Sequence, residues 1–101
     1  MTQQRRYHRI TFEADVIIHI SGESQPATTV NLSQGGALLH TTSPLEFGQR
    51  LHLEIQLPMV NETSNIPGVV RWRRDSSVGV QFETLRAIEV WGINQLINTR
   101  K

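Results

Sequence analysis

The 101-residue sequence contains no cysteine, which excludes a disulfide framework and thiolate metal sites. It has a single lysine, the terminal Lys101, so nine of its ten cationic side chains are arginines. Its six aromatic residues, mostly on inward parity, argue against the exposed stacking platforms of a single-strand-binding barrel. No apolar run approaches the ~20 residues of a membrane-spanning helix, so no membrane insertion is expected. The opening MTQQRRYHRI is basic but lacks the apolar segment of a secretory signal, and a cytoplasmic location is the default expectation. A net charge of +1 falls short of the basic excess typical of general nucleic-acid binders, so no nucleic-acid polymer is expected as partner.

Catalytic chemistry has equally little footing. His8, His19, His40 and His52 show no paired metal spacing, and no cysteine completes a zinc site. Ser33 has no identifiable base and acid partner, and LSQGG is not a nucleophile elbow. Neither a catalytic residue, a metal nor a cofactor is expected.

The chain length fits one domain, and 38% hydrophobic with 19% charged residues fits a folded one. In TFEADVIIHI, Phe12, Val16, Ile18 and Ile20 share one face while Glu13, Asp15 and His19 share the other, the period of a half-buried strand. SGESQP reads as a turn, ATTVNL as a second strand and ALLHT as a third. RLHLEIQL points Leu51, Leu53, Ile55 and Leu57 inward. PMVNETSNIP reads as a loop, GVVRWRR as a fifth strand with Val70 and Trp72 on one face, and SVGVQF as a sixth. Six short strands joined by turns predict an antiparallel barrel or sandwich. From about Thr84, taken as the N-cap, the tail reads as a helix with a broad apolar stripe, covered on more than one side. The expected organisation is a flexible Arg-rich segment at 1–10, a barrel over 11–83 and a helix over 84–99.

Two short motifs carry the chemistry. RRYHR sets Arg5 and Arg9 four apart, the same side of an extended chain or of a helix, so two guanidinium forks can converge on one anion. Its plainer alternative is a solvated basic tail. NLSQGG sets Asn31 and Ser33 two apart on one side of a strand, an amide and a hydroxyl that together donate and accept. Gly35 and Gly36 allow positive φ and close approach of another group. The plainer alternative there is an Asx turn closed by Asn31.

The order and spacing of these motifs resemble those of the PilZ domain, a bacterial receptor for cyclic di-GMP. Its Arg-x-x-x-Arg matches Arg5 and Arg9, and its (Asp/Asn)-x-Ser-x-x-Gly matches Asn31, Ser33 and Gly36. FGQRLHLEIQLP and GVVRWRRDSSVGVQF extend the likeness over nearly the whole chain. The resemblance implies an all-β fold, a six-stranded antiparallel barrel with a C-terminal helix, and no catalytic activity. It also implies cyclic di-GMP as ligand, held by Arg5, Arg9, Asn31, Ser33 and Gly36, with Arg6, Gly35 and Trp72 in support. Trp72 shares parity with Val70, which favours core packing, with stacking on the ligand as the alternative. A downstream protein partner and a monomeric or homodimeric state complete the expectation. Two rivals stand beside it: a PilZ-type adaptor that binds protein without nucleotide, and the small single-strand-binding barrel.

Overall fold

The computed structural model describes residues 9–99; Arg5 and Arg6 lie outside them. Six strands close on themselves: β2 (Asp15–Ile20), β3 (Glu23–Leu32), β4 (Gly36–His40), β5 (Arg50–Ile55), β6 (Ser64–Arg74) and β7 (Ser77–Phe82). Neighbours run β3-β2-β5-β6-β7-β4, and β4 pairs back onto β3, with every pairing antiparallel. The alternatives of barrel and sandwich therefore resolve as a closed barrel. A seventh, two-residue strand, β1 (Ile10–Thr11), extends β3 by pairing with Leu32 and Asn31. Because Ile10 is buried in the core, the expected flexible segment cannot extend through residue 10.

The core follows from the strand alternation. Ile18, Leu39, Leu53, Ile55, Ile66 and Val78 are fully buried, and Leu51 and Leu57 join them as expected. Burying each such side chain contributes on the order of 1.5–3 kcal/mol. Two boundaries differ from the sequence reading. Of SGESQP, only Ser21 and Gly22 form the turn, both at positive φ (50° and 83°); a two-residue hairpin loop with that geometry matches the right-handed twist of its strands. Likewise β6 begins at Ser64, so four residues assigned to a loop pair with β5 instead.

The helix α1 spans Ala87–Thr99, three residues later than expected, and Thr84 does not cap it. Glu89 does part of that work: its Oε1 accepts the Arg86 backbone N–H at 2.8 Å, satisfying a donor that has no intrahelical partner. The Glu89 carboxylate is buried and also takes the Arg86 guanidinium at 3.0 Å. Hydrogen bonding to Glu89, its charge and a further bond to Glu62 raise the Arg86 pKa above its ordinary value, so Arg86 keeps its charge at any physiological pH. One face of α1 packs on the barrel through Gly92, Ile93 and Leu96. Gly92 is needed there, because a Cβ would lie 2.7 Å from Val60 Cγ2. Val90 and Ile97 are half-buried, Ile97 against the core, but the stripe is not covered throughout as expected, since Ile88 and Trp91 remain 42% and 44% exposed. No helix among the described residues is long and apolar enough to cross a membrane.

Candidate functional site

The pairing of β3, β4, β7 and β6 builds one stretch of outer wall. Register sets Asn31 beside Leu38, Leu38 beside Gly79, and Gly79 beside Trp72. At ~4.8 Å per strand this row spans roughly 14 Å. The Gly79–Trp72 part of this row floors an open cleft of about 690 Å³, lined also by Arg9, the 33–36 turn, Arg71, residues 80–82 of β7, and Leu85 and Val90 at the helix end. That size is in the usual range of small-molecule sites. Two arginines and one carboxylate, Glu83, line it, and Glu83 has its own exposed partner, Arg50, at 3.6 Å. The cleft is therefore biased toward anions.

Arg9 stands at the mouth, where its Nη1 donates to Asn31 Oδ1 at 3.0 Å. This bond joins two segments that are 22 residues apart in sequence. Asn31 thus does not close an Asx turn. Ser33 shapes the turn instead: its Oγ accepts the N–H groups of Gly35 and Gly36 at 3.1 and 3.2 Å. The hydroxyl is buried and directed into its own loop, so Asn31 and Ser33 do not present a matched polar pair. Gly35 and Gly36 do not use the positive φ that glycine allows; Gly22 and Gly48 are the glycines that do. Gly36 is required for a different reason. A Cβ there would sit 2.1 Å from the Val80 carbonyl oxygen, so the approach of β4 to β7 excludes any side chain.

Trp72 is not in the core. A register shift between Val70 and Trp72 inserts one extra residue, Arg71, and a bulge of this kind reverses the parity that follows it. The indole then lies flat against Gly79, where a Cβ would come within 2.2 Å of Nε1. It is 46% exposed and forms part of the cleft. The glycine in SVGVQF was the available signal, because a mid-strand glycine marks a close approach. Arg71 belongs to the RWRR cluster that the sequence leaves on the barrel surface without a place in the site, yet it lines the cleft. Of its arginine neighbours, Arg73 instead donates to the Ser43 carbonyl at 2.7 Å. Gln34 was also missed; its amide donates to Asn94 Oδ1, tying the 33–36 turn to α1.

A second polar cluster lies on strands away from the cleft. Ser24 Oγ meets His19 Nδ1 at 2.9 Å, and His19 Nε2 meets Glu54 Oε1 at 2.7 Å. The order resembles a catalytic relay, but it spans an exposed strand surface and none of its members lines the cleft. It laces β3, β2 and β5 together. Among the described residues no group of three or more potential ligands could hold a metal ion.

The PilZ domain family model matches residues 3–98, and the chain belongs to that family. It is 31% identical over 81 residues to the cellulose synthase catalytic subunit (UDP-forming) of Xanthomonas axonopodis pv. citri, covering 79% of this chain but 11% of that protein. Among solved structures it is similar to the inhibitor of motility MotI/DgrA of Bacillus subtilis (TM-score 0.75, 23% identity, 99% of this chain and 55% of that one). A PilZ domain of CeSA from a cellulose-synthesizing bacterium superposes at a TM-score of 0.70 with 15% identity, covering 92% of this chain and 97% of that one. The Borreliella burgdorferi PlzA protein, in complex with c-di-GMP, gives 0.71 with 17% identity, covering 90% and 40%. These structural likenesses establish the six-stranded barrel with its C-terminal helix as a PilZ fold.

Proposed function

We propose that this chain is a receptor for cyclic di-GMP that acts by binding, not catalysis. The observation that carries the reading is the Arg9–Asn31 bond at the cleft mouth, which brings one residue of each PilZ motif into contact. Membership of the family and the fold shared with PlzA, whose structure contains c-di-GMP, support it.

The ligand has two phosphates and two guanines. Arg5 and Arg9 suit its phosphate oxygens and the O6 and N7 of guanine, since a guanidinium fork matches both. Asn31 holds Arg9 in place beforehand, and its acceptor suits the N–H donors of a guanine edge once Arg9 turns to the phosphate. Ser33 keeps the 33–36 turn in shape, so that Gly35 and Gly36 form a wall without side chains. Trp72 offers an apolar face for a base, a contact worth about 1–3 kcal/mol, and Arg6 adds charge or stacks on the ligand. The segment with Arg5 and Arg6 lies outside the described residues; on this reading the ligand's phosphates would draw it across the cleft from Arg9, while β1 stays fixed to β3. The Gln34–Asn94 link then passes any movement of the turn to α1, where a downstream protein partner reads the altered surface.

Calorimetric titration with cyclic di-GMP, with GTP and cyclic GMP as controls, tests the reading. Binding of cyclic di-GMP well above the controls is expected. Equal binding of all three would mean non-specific capture of anions and overturn it.

A further inference from the structure

In a regular strand, consecutive residues face opposite sides of the sheet. Arg71 and Trp72 break that rule. The register shift between Val70 and Trp72 turns both outward, and both line the cleft. The arginine is also braced. Its Nε donates to Gln81 Oε1 at 2.6 Å, and Gln81, from β7, lines the same cleft. With Nε occupied, the end of the guanidinium presents its two Nη groups as a fork, and no described residue takes a hydrogen bond from them. A planar base resting on Trp72 would bring its edge alongside that fork.

We propose that Arg71, positioned by Gln81, reads the edge of the base stacked on Trp72 and selects guanine over adenine at that end of the cleft. Guanine presents two acceptors, O6 and N7, to a bidentate fork, whereas adenine replaces O6 with the N6 donor. Donor then meets donor, and one of the two bonds is lost. Arg9 and Asn31, at the other end of the row, deal with the opposite half of the ligand. The inference rests on the nucleotide reading above.

The test is calorimetric titration with cyclic di-GMP and with the mixed cyclic dinucleotide of GMP and AMP, on the wild-type protein and the R71A, R71K and Q81A variants. The wild type should favour the double-guanine ligand by about 10–100-fold, the value of one good bidentate pair. R71A should bind the two ligands nearly equally, R71K should not restore the preference, and Q81A should fall between. Circular dichroism checks that each variant is folded. If R71A weakens both ligands by the same factor, Arg71 supplies only charge and the inference fails. If R71A changes neither affinity, it fails outright, while the receptor reading stands. If the wild type does not bind cyclic di-GMP, the receptor reading fails and takes this one with it.

Discussion

The two sides of the barrel are built differently. Along β2, β5 and the first part of β6 the pairing has no break, from Ile17 against Glu54 to Ile55 against Ser64. Outward side chains on that side bond across strands, as His19 does with Glu54. On the side formed by β3, β4, β7 and β6 the register slips twice, between Thr29 and Asn31 and between Val70 and Trp72. Two glycines, Gly36 and Gly79, sit between those slips and allow close approaches that no other residue permits. The cleft is on this second side. Regular pairing makes a wall, whereas bulges and missing side chains leave a hollow and aim residues into it.

The largest expected effect belongs to the regular side. Leu53 is fully buried, so Leu53→Ala should cost about 2–5 kcal/mol in chemical denaturation, while the protein that remains folded binds ligand as before. Arg9→Ala should do the reverse. Loss of a charge-assisted contact weakens cyclic di-GMP binding by on the order of 1.5–3 kcal/mol, and the midpoint of denaturation should hardly move. A drop in stability comparable to that of Leu53→Ala would show that Arg9 holds the fold rather than the ligand.

The two glycines sharpen the contrast. Gly36→Ala meets backbone, the Val80 carbonyl at 2.1 Å, and should lose about 1–3 kcal/mol of stability through overpacking. At Gly79→Ala the nearest atoms to the new Cβ belong to the indole of Trp72, whose exposed ring can swing aside. Stability should change little, but affinity should fall by up to the ~1–3 kcal/mol of a stacked base. Equal thermal destabilisation by the two variants would erase the distinction between a strand contact and a cleft floor. The smallest effect is expected from His19→Ala, an exposed pair worth at most about 1 kcal/mol; altered nucleotide binding in that variant would break the separation of the two sides.

Sequence periodicity served the regular side well. The alternation of Leu51, Leu53, Ile55 and Leu57 placed all four in the core: the unbroken β5 keeps its parity through Ile55, and Leu57, just beyond its end, is buried as well. It failed at Trp72 for a physical reason: one inserted residue reverses every face beyond it, and nothing in GVVRWRR announces the insertion. The helix start was misplaced because Thr84 is a preferred capping residue, whereas the Arg86 N–H is satisfied by the Glu89 carboxylate from within the helix. Ser33 was read as facing a ligand, since its residue type cannot tell an outward hydroxyl from one that closes its own turn. The motifs gave the Arg9–Asn31 end of the cleft. At the other end Trp72 was carried only as a supporting residue, and its pairing with Arg71 needed three dimensions.

The most direct test is an amide and indole NMR titration of the whole chain with cyclic di-GMP. Shifts should concentrate at residues 9, 31–38, 71–72 and 79–83 and at the Trp72 indole N–H, reaching α1 through Asn94. Amides of 16–20 and 51–55 should stay in place. Shifts centred on β2 and β5, or none at saturating nucleotide, would contradict a receptor whose site lies where the register breaks.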